Sequence, residues 1–424
     1  MKTSPQPVYI LGSQRIPFAK SQTAYADITR QNLMVASLEA LVDKCALQNK
    51  LLGDVALGAL MNSAANWNLS RECVLATALH PETPAYNVQR ACGTSLETIW
   101  QIALKAHVGQ INTGIAGGVD TNSDFPIEIS DALRHFILKL TSAKTLVEKV
   151  KALKYFSLQS LKPKAASVTE PRTLLSMGQH CELMVKEWGI SRDEQDELAL
   201  RSHQNSYKAY EDGFMDGLVQ PFNGLNRDNT IRGDTSLEKL VKLKPAFDYK
   251  NGSLTAGNSS PLTDGSACIL LANDVGANEL GIKPLAQLID FQIAAVDFVH
   301  GAGLLMAPTH AVANLLSRNN LSFADFDYFE IHEAFAGQVL CNLKAWNDKA
   351  YCQKVLGLPS ALGQIDRSKL NVMGSSIAMG HPFAATGARI AGTLAKLSSR
   401  NKNRRGLISI CTAGGMGIAA LLES

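Results

Sequence analysis

Short apolar runs that end at glycines alternate along the chain with longer stretches in which apolar residues recur every three to four positions. The runs PVYILG (7–12), INTGIAGGVD (111–120) and RGLISICTAGG (405–415) are bounded by glycine and rich in β-branched residues, which predicts strands. Residues 31–46 (QNLMVASLEALVDKCA) and 95–108 (SLETIWQIALKAHV) follow the helical period. The alternation predicts an α/β protein.

The stretch from residue 122 to residue 250 departs from this pattern, because it is charged, helical in period and interrupted by turn-forming residues. We expect it to be an insertion over an α/β core that resumes near residues 253–273. The segments GIAGGVD (114–120) and CTAGGMG (411–417) are similar, and each follows a short apolar run. Two similar α/β halves would account for this repetition.

Positive charge is concentrated in residues 131–165, where eight Lys/Arg against two acidic residues give a net charge of +6, within a total of +3 for the chain. Apolar residues at helical spacing predict one or two amphipathic helices here. Such helices could bind an anionic lipid surface, a partner or a polyphosphate ligand, or could pack their apolar stripe on the rest of the protein.

The composition is that of an ordinary globular protein with two or three domains: 424 residues, 46% hydrophobic and 19% charged. No stretch approaches the roughly 18 apolar residues that span a bilayer, and the N-terminus resembles neither a signal nor a transit peptide. We therefore expect a cytoplasmic protein. The eight cysteines show no C-x-x-C pair and no zinc spacing, which favours reduced thiols.

Two familiar motifs begin in the chain but are not completed. FEIHEAFAGQ (329–338) starts like the H-E-x-x-H of zinc proteases, but Ala336 stands at the position of the second histidine, so we expect no metal site at His332. Gly415 to Ala420 matches the dinucleotide pattern G-x-G-x-x-A, but only four residues follow it. That site needs a complete helix, a second strand and an acidic residue beyond the motif.

Three distinctive loops carry reactive side chains. Cys92 stands where a helix begins, and the N–H groups and dipole at a helix start would lower the pKa of its thiol and make it nucleophilic. His381 lies between a glycine and a proline just before another helix, where an imidazole with a pKa near neutrality could take a proton from a thiol and return it. Cys411 ends an apolar strand and enters a glycine-rich turn.

These loops resemble the loops of the thiolase family. The motifs that carry the resemblance are ACGTS (91–95), SMGQHCELM (176–184), DEQDELALRSHQ (193–204), GNSSPLTDGSA (257–267), GHPFAATGAR (380–389) and CTAGGMG (411–417). They cover nearly the whole chain. His-Glu-Ala-Phe at 332–335, where many thiolases have Asn-Glu-Ala-Phe, is similar to the thiolase β-subunits of trifunctional-type fatty-acid oxidation complexes.

The resemblance implies a thiolase fold, in which two similar βαβαβαββ halves form a five-layer arrangement with an inserted loop domain. Residues 1–121 and 251–280 would form the N-terminal half, and residues 281–424 the C-terminal half. Residues 122–250 would form the loop domain, which binds coenzyme A and contains the basic helical segment 131–165.

The resemblance also assigns roles to single residues. Cys92 would carry the acyl chain as a thioester, His381 would act as base and oxyanion-hole donor, and Cys411 as acid and base. His332 would hold a water in the same oxyanion hole as His381, and the backbone N–H of Gly414, together with that of Cys92, would form a second oxyanion hole.

Coenzyme A would be a co-substrate, and no metal or permanently bound cofactor is implied. Ser260 matches a serine that contacts coenzyme A in the family, and Arg232 is a candidate contact for its phosphates. Two positions depart from the family pattern: Ser375 replaces the second glycine of N-x-x-G-G, and Ala413 stands where many thiolases have glycine.

The expected activity is CoA-dependent cleavage of medium- or long-chain 3-ketoacyl-CoA to acetyl-CoA and a shortened acyl-CoA in fatty-acid β-oxidation. The alternatives are a short-chain acetyl-CoA acetyltransferase that condenses two acetyl-CoA molecules, and a decarboxylating ketosynthase, against which Cys411 argues. The resemblance further implies a homodimer or homotetramer, a hydratase/dehydrogenase α-subunit as partner, and peripheral membrane contact through 131–165. No nucleic-acid partner is expected.

Overall fold

The computed structural model describes residues 5–64, 66–164 and 169–424. Within these residues the chain forms ten strands: β1 (Val8–Arg15), β2 (Ala19–Lys20), β3 (Asp54–Gly58), β4 (Ala85–Val88), β5 (Thr113–Asp120), β6 (Thr263–Asn273), β7 (Ala286–Ala295), β8 (Tyr328–Ile331), β9 (Arg405–Thr412) and β10 (Met416–Glu423). The predicted strands correspond to β1, β5 and β9.

The described residues also form fourteen α-helices: α1 (Arg30–Lys44), α2 (Leu69–Leu75), α3 (Thr94–His107), α4 (Asp131–Ser142), α5 (Leu146–Ala152), α6 (Met177–Glu187), α7 (Arg192–Glu211), α8 (Leu237–Leu240), α9 (Asp274–Leu280), α10 (Ala307–Asn319), α11 (Ala336–Asn347), α12 (Lys349–Lys354), α13 (Ser376–Met379) and α14 (Thr386–Ser399). The two helices predicted from periodicity are α1 and α3.

The strands repeat one pairing order in the two halves of the chain. The sheet runs β4-β3-β5-β6-β1-β7-β10-β9-β8, with β2 paired to β6. The order β3-β5-β6-β1 in the first half matches β8-β9-β10-β7 in the second, and in both halves one parallel pair is followed by two antiparallel pairs. The two similar halves expected from the sequence are confirmed.

Alternation of side chains along the strands builds the five layers. In β6, Ile269 and Leu271 face a central core with α3 and α14, whereas Cys268 and Leu270 face an outer core with α1 and α2. In β10 the residues also alternate, between the central core and an outer core with α10 and α11. Helix α14 is buried almost all round, as a helix in a middle layer must be. The five-layer fold is therefore confirmed.

The described part of the insertion, residues 122–164 and 169–250, contributes helices and no strand. Helices α6 and α7 each begin with a capping box, in which Ser176 pairs with Gln179 and Ser191 with Glu194. None of the described helices is long and apolar enough to cross a membrane.

The basic segment forms two helices, α4 and α5, which confirms the predicted helical structure. Packing of their apolar stripe on the rest of the protein was one of the open alternatives, and it is wrong for most of that stripe. Helix α4 has no buried residue, and the exposed fraction is 43% for Ile137, 78% for Leu146 and 59% for Val150. Residue 165, the last of the segment, lies outside the described residues.

Candidate active site

Cys92 is held just before α3 by a tight turn. Ala91 has a left-handed backbone with φ 45°, and the Thr94 hydroxyl closes the turn by donating to the Ala91 carbonyl at 2.7 Å. Burial raises the pKa of the Cys92 thiol to about 12, although the backbone N–H groups of Ala413 and Cys92 itself act to lower it. The prediction of a lowered pKa is therefore wrong for the unliganded protein, because burial outweighs the N–H donors.

His381 is fixed by two threonines. Its backbone N–H donates to Thr263 Oγ1 at 2.8 Å, and its Nδ1 lies 2.6 Å from Thr386 Oγ1. Burial, together with the charge of Arg389, lowers the pKa of His381 to about 3, so the near-neutral pKa expected from the sequence is also wrong. The site at rest holds a neutral imidazole and a neutral thiol.

His332 lies beside His381 at the end of β8. The two ring centroids are 4.1 Å apart, and His332 Nδ1 lies 2.9 Å from Ser376 Oγ. Burial and the charges of His381 and Arg389 hold the pKa of His332 well below its usual value. Among the described residues, neither Nε2 atom has a hydrogen-bond partner, although both are buried. Two neighbouring ring nitrogens are thus left for a bound molecule.

Cys411 is the second thiol of the site. It is buried, and burial raises its pKa well above the usual value, with a further rise from the nearby Cys92. Asp120, at the end of β5, connects the two halves of the chain, because its carboxylate accepts from the Ala384 N–H at 2.9 Å. Its negative charge also raises the pKa of the Cys92 thiol. The fold thus brings Cys92 close to Cys411 and His332 close to His381.

Gly414 occupies a turn that requires glycine, with φ 74°. Its N–H donates to the Glu170 carboxylate at 2.8 Å. This N–H can therefore receive an anionic oxygen, as expected of an oxyanion-hole donor, but Glu170 must leave before a substrate oxygen can take that place. Glu170 gave no signal in the sequence, because no local pattern links it to a turn more than 200 residues away.

The two departures from the family pattern fit this backbone. Ser375 has an extended conformation that any residue adopts, and its Oγ lies 3.3 Å from Arg389 Nη1. The preceding position is the one that requires glycine, because Gly374 has a φ of 76° and a Cβ there would lie 1.9 Å from Ser206 Oγ. Ala413 contributes its backbone N–H to Cys92. Neither departure removes a side chain from the site.

The Glu333 carboxylate ties the His332 loop to its surroundings. It accepts from Ser202 Oγ at 2.6 Å, from Asn371 Nδ2 at 2.7 Å and from the Ile377 N–H at 3.3 Å. All of these groups are inside the protein, where a carboxylate needs such donors. Glu333 therefore has a structural role in this arrangement, which accounts for the glutamate in the His-Glu-Ala-Phe motif.

A cavity of about 740 Å³ contains both of the residues expected to contact coenzyme A, Ser260 and Arg232. The Ser260 N–H donates to the Ala334 carbonyl at 3.0 Å, which joins the cavity wall to the His332 loop. Ile377, the neighbour of Ser376, also lines the cavity. Cationic side chains in the lining include Lys20 and Lys239 in addition to Arg232. The cavity thus extends from these cations to residues beside the His332 loop.

Comparison with known proteins identifies the class to which this fold and site belong. The chain matches the family models "Thiolase, N-terminal domain" over residues 8–274 and "Thiolase, C-terminal domain" over residues 282–424. The chain therefore belongs to the thiolase family and is an acyltransferase. The resemblance stated from the sequence motifs is confirmed.

Relatives within the family are similar over almost their whole length. The 3-ketoacyl-CoA thiolase of Aliivibrio fischeri is 41% identical, with 98% of this chain and 95% of the relative covered. The 3-ketoacyl-CoA thiolase of Yersinia enterocolitica is 39% identical, with coverages of 98% and 96%. The crystal structure of the Bacillus anthracis acetyl-CoA acetyltransferase is 30% identical, covers 99% of both chains and superposes with a TM-score of 0.80.

Proposed function

We propose that the protein is a 3-ketoacyl-CoA thiolase that cleaves medium- or long-chain 3-ketoacyl-CoA in fatty-acid β-oxidation. The observation that carries the proposal is the pair of adjacent buried imidazoles, each with an Nε2 atom that has no hydrogen-bond partner among the described residues. The neighbouring thiols of Cys92 and Cys411 support it. The names of the relatives support the same substrate class.

In the first half-reaction, the Cys92 thiol gives its proton to His381 Nε2, and its sulfur attacks the C3 carbonyl carbon of the substrate. The C2–C3 bond breaks, its electron pair passes to C2 as the enolate of acetyl-CoA, and Cys92 retains the shortened acyl chain as a thioester. Cys411 then donates its proton to C2. Protonated His381 and a water held by His332 stabilise the enolate oxygen.

In the second half-reaction, the thiol of coenzyme A gives its proton to the Cys411 thiolate, and its sulfur attacks the acyl carbonyl on Cys92. The N–H groups of Cys92 and Gly414 stabilise the resulting oxyanion once Glu170 has moved away from Gly414. The intermediate collapses, the Cys92 sulfur leaves, and it regains its proton from His381. Both thiols and the imidazole return to the neutral forms that the unliganded site favours.

We propose the 740 Å³ cavity as the site of coenzyme A, with Ser260 and Arg232 among its contacts. Arg232 and Lys20 supply positive charge for phosphates, whereas Lys239 is paired with Asp234 at 2.6 Å. The volume is within the range of about 300–1,000 Å³ that small-molecule sites have. We retain residues 1–121 with 251–280, 122–250 and 281–424 as the proposed domain division. It is supported by the absence of strands from the described part of 122–250.

We expect purified protein, mixed with coenzyme A and 3-ketoacyl-CoA of short, medium and long chain, to consume the 3-ketoacyl-CoA with a preference for the longer chains. Loss of the enolate absorbance measures the reaction, and acetyl-CoA alone as substrate measures condensation. Preference for the shortest chain would favour the acetyltransferase alternative. Absence of turnover at every chain length would refute the thiolase proposal.

The two partners proposed from family resemblance are a second copy of the chain, in a dimer or tetramer, and a hydratase/dehydrogenase α-subunit. A second copy is supported by the edge strand β4, which pairs only on its β3 side among the described residues. Close to this edge, the exposed fraction of Trp67 is 97%. An aromatic side chain of that size beside an open strand suits an interface between subunits.

We also propose that the basic segment binds an anionic lipid surface. Its helices expose leucines and carry the clustered lysines, so burial of apolar side chains and attraction to lipid headgroups act together. A membrane surface uses both features, whereas a polyphosphate ligand would use only the charge. A peripheral contact of this kind is compatible with the cytoplasmic location that we propose.

Replacing Lys144, Lys149, Lys151 and Lys154 with glutamine should weaken binding to vesicles that contain phosphatidylglycerol by about 10²-fold or more, at about 1 kcal/mol for each lysine. Co-sedimentation with vesicles measures the effect. The matched control replaces four exposed lysines elsewhere, Lys283, Lys349, Lys354 and Lys402, and should bind as the unchanged protein does. Equal loss in both variants, or no loss in the first, would contradict the proposed membrane contact.

A further inference from the structure

The two adjacent imidazoles differ in what lies behind each of them. His332 Nδ1 faces Ser376 Oγ at 2.9 Å, and the same oxygen lies 2.6 Å from Arg389 Nη2. His381 Nδ1 faces Thr386 Oγ1 at 2.6 Å, and no further partner of that hydroxyl is found among the described residues. The hydroxyl beside His332 is therefore also hydrogen-bonded to the Arg389 guanidinium, whereas the hydroxyl beside His381 has no second partner among the described residues.

Among the described residues, the Ser376 hydroxyl has a single acceptor to which it can donate its proton. Arg389 has donors and no acceptor, so Ser376 Oγ must accept from it. Within the described part of the chain, the one remaining partner of this hydroxyl is His332 Nδ1. If Nδ1 carried a proton, the Ser376 O–H would be buried without an acceptor, which is unfavourable. Ser376 therefore donates to Nδ1, and the ring proton of His332 lies on Nε2.

Arg389 is kept in place by groups that the sequence did not indicate. Its guanidinium is buried, and it interacts electrostatically with the buried carboxyl groups of Glu330 and Glu333. These contacts fix a cation behind Ser376, so the direction of the Ser376 hydrogen bond cannot reverse without loss of the Arg389 contact.

We propose that Ser376, held by Arg389, locks His332 as the tautomer with its proton on Nε2. His332 is then a permanent hydrogen-bond donor toward the bound thioester or its water. His381 is the imidazole that carries the proton during the reaction, because the Thr386 hydroxyl can either donate to or accept from its Nδ1. Ser376 and Arg389 are positioning residues. These different roles of His332 and His381 rest on the proposed thiolase reaction.

The site offers a matched pair of variants for a test. Ser376→Ala removes the hydroxyl between Arg389 and His332. Ser375→Ala removes a hydroxyl that lies near the same guanidinium but has no contact with His332. Ser376→Thr retains the hydroxyl and should restore the function. Circular dichroism and thermal unfolding establish that each variant is folded.

The tautomer is read directly from ¹⁵N NMR of protein labelled at histidine, with the His332 signals identified by their absence in His332→Ala. We expect Nδ1 of His332 to be unprotonated in the unchanged protein and in Ser375→Ala, and to become partly protonated in Ser376→Ala. We also expect Ser376→Ala to lower kcat for thiolysis by about 10- to 10²-fold, less than loss of a whole oxyanion-hole donor, with KM for coenzyme A unchanged.

A proton on His332 Nδ1 in the unchanged protein would overturn the inference, even with full thiolase activity. An equal loss of kcat in Ser375→Ala and Ser376→Ala would also overturn it, because the effect would then be general to the Arg389 pocket. If the unchanged protein shows the expected tautomer but cleaves no 3-ketoacyl-CoA, the proposed reaction is wrong while the hydrogen-bond arrangement stands. The NMR and kinetic results thus separate the two failures.

Discussion

Cys92→Ser is expected to lower the rate of thiolysis by at least about 10⁴-fold, because the acyl-enzyme can no longer form. Burial already raises the pKa of the Cys92 thiol to about 12, and a hydroxyl at the same place is a much weaker acid still. His381 could not deprotonate it to a useful extent. Steady-state thiolysis measures the rate, and intact-protein mass spectrometry measures the acyl group on the enzyme.

The matched control for this variant is Cys45→Ser. Cys45 and Cys92 are each 8% exposed, but Cys45 follows α1 on the outer side of the sheet, away from the paired histidines. This control should retain both the activity and the acyl adduct. If Cys92→Ser still acquired an acyl group, or kept more than a small fraction of the thiolysis rate, Cys92 would not be the nucleophile.

The strands and helices were predictable where the period of the apolar residues was strong. β5 and β9 are short and buried, and α3 has a clean apolar stripe, so each was visible in its own segment. The order of the strands was not visible, because β5 pairs with β6 across more than 140 residues of intervening chain. The sequence predicted that the core resumes near residues 253–273, but it did not predict this pairing.

The three candidate catalytic loops were visible in the sequence because each has a local signature. Cys92 precedes a helix, His381 stands between glycine and proline, and Cys411 ends a strand. The pKa values were predicted wrongly, because burial is a property of the folded protein and no local pattern reports it. The supporting groups Arg389 and Glu170 were missed for a related reason: each reaches the site through space and not through a neighbouring sequence position.

For the basic segment, the helices were predictable from the sequence but the exposure of their apolar side chains was not. Its charge and helical period were evident in the sequence, but a helix that packs on its own protein and a helix that faces outward have the same pattern. Only the exposed fractions of its leucines distinguish the two cases. The structure therefore excludes packing on the rest of the protein for most of the apolar stripe of this segment. The vesicle experiment then tests which ligand the segment binds.

His332→Ala is expected to slow cleavage of the C2–C3 bond by about 10²–10³-fold, the usual effect of removing one oxyanion-hole donor. The fold should be retained, because the three hydrogen bonds to the Glu333 carboxylate still tie this loop to the rest of the protein. Cys92 should still accept an acyl group directly from an acyl-CoA, since that step uses the N–H groups of Cys92 and Gly414. Single-turnover kinetics with 3-ketoacyl-CoA separates bond cleavage from acyl transfer.

His332→Asn is the informative companion, because an asparagine amide can also donate and many thiolases have asparagine at this position. We expect it to keep most of the cleavage rate that His332→Ala loses, whereas a role for His332 as a proton carrier would leave both variants equally slow, since an amide does not titrate. Equal slowing would therefore move the proton-carrying role toward His332. Recovery in asparagine would place His332 as a donor and leave His381 as the base.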